Sequence, residues 1–215
     1  MIRDVVGAAM PPKFIYFDLG NVLLNFSHPR MCRQMAEVTG LSEEAVWQAL
    51  FGTGLELDYE RGRVDTREFY EQFCAATGTR ADFDRLALAA CDIFSVHVGT
   101  KRVLAQLLTA GYRLGLLSNT NEMHWNYFAR GRFAMIPTAF EQVVLSFEVG
   151  SIKPEAGIFE AAIEQAGVLP GEIFFTDDIA GHVDAARELG IDAVPFTTPA
   201  ALLEALLARG VRVSA

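Results

Sequence analysis

Five short apolar runs punctuate the chain: FIYF at 14–17, RLGLLS at 113–118, QVVLS at 142–146, EIFFTDD at 172–178 and DAVPFTT at 192–198. Consecutive apolar positions over so short a span are the pattern of a strand buried on both faces. Segments with helical spacing run between and after them, among them PEAGIFEAAIEQAG and HVDAARELG. A last one, TPAALLEALLARG, has Pro199 near its start and Gly210 near its end. Short buried strands alternating with amphipathic helices predict an α/β fold, a doubly wound (Rossmann-like) parallel sheet with helices on both faces.

The stretch from about Ser27 to Val98 breaks this rhythm. It contains no comparable strand run and reads as several helices: RMCRQMAEVTG, SEEAVWQALFG, TREFYEQFCAATG and ADFDRLALAACDIF. Ser42 ahead of Glu43 and Glu44 marks one helix start, and Asp65 with Glu68 has capping-box spacing. An all-helical lobe over 27–98 is therefore expected as an insertion in a core made of 1–26 and 99–215.

Composition narrows the partners. A chain of 215 residues, 51% of them hydrophobic, is long enough for one sizeable core with a small accessory lobe. A net charge of −9 disfavours a nucleic-acid backbone or an anionic membrane as partner, but not a small anion in a locally positive pocket. No apolar run approaches the ~18 residues of a spanning helix. The start, MIRDVVGAAMPPKF, is interrupted too soon by Pro11-Pro12 to read as a secretory leader. Cys32, Cys74 and Cys91 lack CxxC spacing and cannot all pair, so reduced, buried thiols in a cytoplasmic protein are expected. Nothing in the sequence sets an oligomeric state.

The chemistry collects at the strand ends. The first run ends in Asp18, the second in Ser118-Asn119-Thr120 and the fourth in Thr176-Asp177-Asp178. Side chains just past the C-terminal ends of parallel strands converge on one crevice. Carboxylates brought so close raise one another's pKa unless a cation intervenes, and a hard ion with oxygen ligands, Mg²⁺, suits such a set. Lys153, after the third run, adds a positive charge, while the Ser118 hydroxyl and the backbone N–H groups near Asn119 suit phosphoryl oxygens. A nucleophile, a cation, a lysine and neutral donors are the ingredients of phosphoryl transfer.

With those residues in view, the chain resembles the haloacid dehalogenase-like hydrolase superfamily. Four motifs stand in the family's order: FDLGNV, LLSNT, SIKPEAGIF and FFTDD. The likeness spans nearly the whole chain, with the helical insertion where the family carries its first-type cap. It is nearest to the subgroup of bacterial sugar-phosphate phosphatases with a DLGNV motif, such as glucose-1-phosphate phosphatase, and the phosphatase half of soluble epoxide hydrolase is a further relative. The resemblance implies that Asp18 attacks phosphorus and becomes an aspartyl phosphate. It implies that Ser118 and Asn119 hold the phosphoryl group, that Asn21 belongs to the phosphate-binding set, and that Lys153 neutralises nucleophile and phosphate together. Mg²⁺ would lie among Asp18, the backbone carbonyl of Gly20 and Asp178, with Asp177 supporting the metal's water or Lys153. The pair 177–178 leaves open which member touches the metal.

The expected function is thus Mg²⁺-dependent hydrolysis of a small phosphate monoester, a sugar phosphate among the candidates. One position departs from the family: a second Asp usually follows the nucleophile by two residues, as acid to the leaving group and then base to water, and here that position is Gly20. General acid–base help is commonly worth ~10²–10⁴ in rate. Turnover should then favour good leaving groups, or another residue or water must substitute.

Two other functions fit parts of the pattern. A hydrolytic dehalogenase, in which Asp18 displaces halide from carbon, needs no leaving-group acid; it also needs no metal, which leaves Asp177-Asp178 unexplained, and it lacks the usual Tyr two residues after the nucleophile. A catalytically weak phosphate-binding interaction protein fits Gly20 but not the intact Asp18, Lys153 and Asp178. Of the histidines, His28 is expected at a surface or hinge and is the first candidate for the missing acid. His182 is expected at the crevice edge and His124 packed at the lobe interface. Arg61, Arg63 and Arg67 read as a solvated helix face from which one arginine can reach substrate.

Overall fold

A computed structural model describes residues 11–133 and 135–213. The segment considered for a leader lies, up to Met10, outside the described residues. Among the described residues there are seven strands: β1 (Phe14–Phe17), β2 (Leu24–Asn25), β3 (Ser95–Val96), β4 (Leu114–Ser118), β5 (Gln142–Leu145), β6 (Ile173–Asp177) and β7 (Asp192–Pro195). Five of them, in the order β5-β4-β1-β6-β7, form one parallel sheet. These are the five apolar runs of the sequence.

Strand periodicity explains why the runs are apolar throughout. Ile15 and Phe17 of β1 face one core with Leu114, Leu116 and Phe174, while Phe14 and Tyr16 face another with Leu117, Ile173 and Phe175. Helices α6 (Val98–Thr109) and α11 (Pro199–Ala208) cover the first face through Val103, Leu107, Leu202 and Leu206. Helices α9 (Ala156–Ala166) and α10 (Ala180–Glu188) cover the second through Phe159, Ala162, Val183 and Ala186. Buried Tyr16 keeps its hydroxyl satisfied by donating to the Ala162 carbonyl at 2.9 Å.

Between β1 and β4 the chain forms α1 (His28–Thr39), α2 (Glu43–Trp47), α3 (Leu55–Glu60), α4 (Thr66–Thr77) and α5 (Phe83–Cys91). The starts read from the sequence are present: Ser42 accepts from the Ala45 N–H, and Asp65 and Glu68 form a reciprocal capping box. These helices share a buried cluster of their own, with Met35, Leu50, Tyr59, Phe73 and Leu86 among its members. The expectation of no strand over 27–98 was wrong in one detail. β3 lies inside that range and pairs antiparallel with β2, so the two passages of chain between sheet and helices run together as a short ribbon. α3 went unread as well, and the SEEAVWQALFG segment leaves α2 through a wide turn over Gln48–Gly52. Two-residue strands and a one-and-a-half-turn helix are too short for periodicity to register. No helix of the described residues is long and apolar enough to cross a membrane.

Gly115 in β4 exposes the tightness of the central sheet. A Cβ built there would lie 2.3 Å from Tyr16 Cε1 and 2.6 Å from Phe14 Cε1. Both rings are fully buried, so neither has anywhere to move. Gly115→Ala should therefore cost about 1–3 kcal/mol through overpacking. A urea titration will check this by a lowered midpoint at unchanged slope, and a wild-type midpoint would show that the aromatic layer yields freely.

Candidate active site

Sheet order builds the site. β1 is central, flanked by β4 and β6, so Asp18, Ser118 and Asp177 emerge side by side at the carboxyl ends of three adjacent strands. The Asp18 N–H still donates to the Thr176 carbonyl at 3.0 Å, which holds the carboxylate at the sheet edge. Lys153 enters from the segment after β5 and is buried. Its ammonium donates to Asp18 Oδ1 at 2.5 Å, to Asp177 Oδ2 at 2.6 Å and to the Leu117 carbonyl at 2.9 Å. All three N–H bonds thus have protein acceptors, and a contact to a phosphoryl oxygen would require one of them to be given up.

Charge and burial compete here. Burial pushes the Asp18 carboxyl up to about 7 against the pull of Lys153, and the Asp177 charge adds to the rise. Burial also works on Asp177, but Lys153 and the hydrogen bond from His182 outweigh it and hold that carboxyl down at about 2. The Lys153 ammonium is disfavoured by burial, yet its two carboxylate partners raise it above its ordinary value.

The acidic pair divides by environment. Asp177 is fully buried and its oxygens accept from Ile179 N–H, His182 Nδ1 and Lys153. Asp178 is exposed and accepts only from Asn21 Nδ2, at 3.1 Å, among the described residues. One oxygen from each of Asp18, Asp177 and Asp178 lies within 4.8 Å of the others. Two carboxylates share one buried ammonium and the third lies beside them, a local excess of hard anionic oxygen, so the residues present fit a divalent cation such as Mg²⁺.

The remaining candidates take less direct positions. Asn21 adopts φ +53°, a left-handed conformation that Asn tolerates, and its amide is turned to Asp178. The Asn119 side chain clamps the Lys153 backbone, accepting from its N–H at 2.7 Å and donating to its carbonyl at 2.9 Å. Its amide therefore positions Lys153. Ser118 Oγ lines the cavity and donates to the Asn119 carbonyl at 3.2 Å. Gly20 sits against an aromatic ring: a Cβ there would approach Phe26 Cε1 to 2.8 Å.

These groups share a cavity of about 260 Å³ with residues of the helical segment. His28 was expected at a surface or hinge; instead it lines this cavity, its ring 5.0 Å from that of Phe26 and 4.9 Å from that of Phe51. Burial lowers its pKa. His124 is packed at the lobe interface, its Nε2 against the Ala90 carbonyl and its Nδ1 against Asn121, and burial pushes it down to about 4. Arg61 is paired with Glu155, Arg63 with Asp58 and Arg67 with Glu71, and none of the three lines the cavity.

Two cavity residues escaped the sequence reading, Glu56 and Glu60, one turn apart on α3. Glu56 is buried and accepts from Asn121 Nδ2 at 2.9 Å. Burial pushes it up to about 8; the neighbouring Glu60 adds to this and Asn121 opposes it. The available signal was their i, i+4 spacing beside the apolar Leu55 and Tyr59, which places both acids next to the buried stripe.

The chain belongs to the haloacid dehalogenase-like hydrolase family, whose profile matches residues 12–190, and it is accordingly a hydrolase. It is 23% identical over 184 residues to the D-ribitol-5-phosphate phosphatase of Bacteroides thetaiotaomicron, covering 84% of this chain and 89% of that protein. A glyceraldehyde 3-phosphate phosphatase of Methanothermobacter thermautotrophicus is 26% identical over 197 residues, covering 80% and 82%. Among solved structures, a family enzyme from Bacteroides thetaiotaomicron in complex with magnesium and inorganic phosphate superposes with a TM-score of 0.77 at 28% identity, covering 86% of this chain and 93% of that one.

Glu56 supplies a test of the buried electrostatics. Its folded pKa of about 8 exceeds its ordinary 4.5, so the folded state binds the extra proton between those values. Its contribution to stability is complete below about pH 4.5 and is lost as pH rises through about 8. Glu56→Gln, which keeps the acceptor for Asn121, should remove that loss. Urea unfolding of metal-free protein should show the variant more stable than wild type by a few kcal/mol near pH 8.5, the gap closing toward pH 5. An equal difference at both pH values would mean that the carboxyl is ionised in the fold.

Proposed function

We propose that this chain is a Mg²⁺-dependent phosphatase that hydrolyses a small phosphate monoester through an aspartyl phosphate on Asp18. The observation that carries the reading is the buried Asp18–Lys153–Asp177 bridge, with Asp178 beside it, at the edge of a cavity lined by Asp18, Lys153 and Asp178. A cavity of about 260 Å³ is of a size to take a small molecule. The ribitol and glyceraldehyde phosphates named for the relatives are small hydroxylated monoesters, and we assign this chain's substrate to that class.

Asp18 is the nucleophile. Lys153 holds it by the Oδ1 contact, fixing the carboxylate's orientation and offsetting its charge as phosphorus approaches. The Ser118 hydroxyl and the Asn119 backbone N–H receive the phosphoryl oxygens, the Thr120 N–H being bonded to Ser146 Oγ. Asp18, Asp178 and the Gly20 carbonyl would hold Mg²⁺, while Asp177, its oxygens already occupied, supports Lys153 and stands behind the site. When bound, the cation offsets the negative charge that carboxylates and phosphoryl oxygens bring together. The helices of 27–98 act as a cap that closes over the substrate and excludes water. Three unpaired, buried cysteines support a reducing, cytoplasmic setting.

Asp18→Asn is nearly isosteric and should keep the fold while losing on the order of 10³-fold or more in kcat/KM on any hydrolysed ester. Chelation should abolish wild-type activity and Mg²⁺ restore it. Wild-type turnover by the freshly purified variant would remove the nucleophile assignment, and full activity in chelator would remove the metal.

A further inference from the structure

Position 20 offers no proton donor, and the structure shows why none can be added simply: the Phe26 ring occupies the place of a Cβ. Transfer of a phosphoryl group is in line, so with Asp18 on the sheet side the departing oxygen faces the helical side of the cavity. Three titratable residues of that segment line it: His28, Glu56 and Glu60. The His28 ring packs against those of Phe26 and Phe51, where burial disfavours its charged, proton-donating form. Glu56 is engaged by Asn121. Glu60 alone of the three has neither hydrogen-bond nor ring partner among the described residues.

We propose that Glu60 is the general acid and base of this enzyme, taking both tasks for which position 20 has no side chain; the proposal rests on the phosphatase reading. An Asp18 oxygen bonds to phosphorus as the bond from phosphorus to the ester oxygen breaks. The Glu60 carboxyl proton passes to that oxygen, and the alcohol leaves. The Glu60 carboxylate then takes a proton from water as the water oxygen attacks the aspartyl phosphate. Inorganic phosphate departs, Asp18 returns as carboxylate and Glu60 is again protonated.

The fold holds Glu60 in place for this. Its neighbour Arg61 is ion-paired with Glu155, two residues beyond Lys153. Next to it Gly62, at φ +67°, lies so close to the core that a Cβ would meet the Phe147 carbonyl at 2.1 Å. The end of α3 is therefore docked directly beside the nucleophile's lysine. The protonation state also suits an acid. Burial, with the Asp18 charge, pushes the Glu60 carboxyl up to about 7, against Lys153, His182 and Arg61, while Glu56 is its acidic neighbour on α3.

The test compares kcat/KM, which reports phosphoryl transfer to Asp18, on 4-nitrophenyl phosphate, phenyl phosphate and glycerol phosphate with saturating Mg²⁺. Wild type should depend weakly on the leaving group. Glu60→Gln should lose about 10²-fold or more on glycerol phosphate and at most ~10-fold on 4-nitrophenyl phosphate, whose anion departs without a proton. Glu60→Asp, which keeps the acid one methylene short, should recover part of the loss. Equal losses on all three esters, or none on glycerol phosphate, would overturn the proposal while leaving the phosphatase reading standing. Should Glu60→Gln not fold, the Asp variant decides alone: a steeper leaving-group dependence than wild type supports the assignment, an unchanged one overturns it. A wild type that hydrolyses no phosphate ester removes the phosphatase reading, and this proposal with it.

Discussion

One buried ammonium organises the centre of this molecule. Lys153 sits where β1, β4 and β6 end, and its three N–H bonds run to Asp18, Asp177 and the Leu117 carbonyl. Parallel strands at their ordinary spacing bring two carboxylates to this edge whatever else happens. Without a cation between them, that juxtaposition would leave like charges in a dry site, and removing one partner from such a buried arrangement commonly costs 3–5 kcal/mol, an order-of-magnitude figure. The Asn119 amide, gripping the Lys153 backbone on both sides of its peptide unit, is best understood as serving this bridge. So is His182, which fixes Asp177 from the far side.

The bridge also sorts the acidic pair. Donors saturate Asp177, leaving its neighbour Asp178 at the surface with a single amide partner. Two adjacent residues of the same type thus acquire different chemistry from the direction each faces at the end of β6. The chain could be read to the pair but not past it, because the choice depends on which side chain points toward the lysine.

The sheet and its polar edge were legible for a related reason. A strand buried on both faces must be apolar throughout, so FIYF, GLLS and IFFTD stand out, and the polar residues ending them stand out as sharply. The helical segment was legible as helices through its caps and apolar spacing. Its contribution to the cavity was not. Glu56 and Glu60 look, in sequence, like the solvated face of LELDYERG, since charged residues are mostly exposed. Only the docking of α3 on the sheet side turns that face inward, and docking rests on contacts far apart in the chain: Tyr59 with Met123, Glu56 with Asn121, Arg61 with Glu155. The β2–β3 ribbon was invisible because two-residue strands carry no period.

Gly20 and the helical segment are two halves of one arrangement. Absence of a side chain at position 20 lets the Phe26 ring lie against the loop after Asp18, and that ring also meets His28 and Phe94. Phe94 packs against both the core cluster and the cluster of the inserted helices, so this aromatic group is the joint between them. A carboxylate at position 20 would need the space that the joint occupies. With no side chain at position 20 the joint fits against the loop after Asp18, and the cavity beside that joint is lined by Glu60 of α3. On the reading proposed above, catalysis joins two parts of the protein: the Asp18–Lys153 bridge is set by the strand ends and the loop after β5, and the proton donor by α3 docked against them.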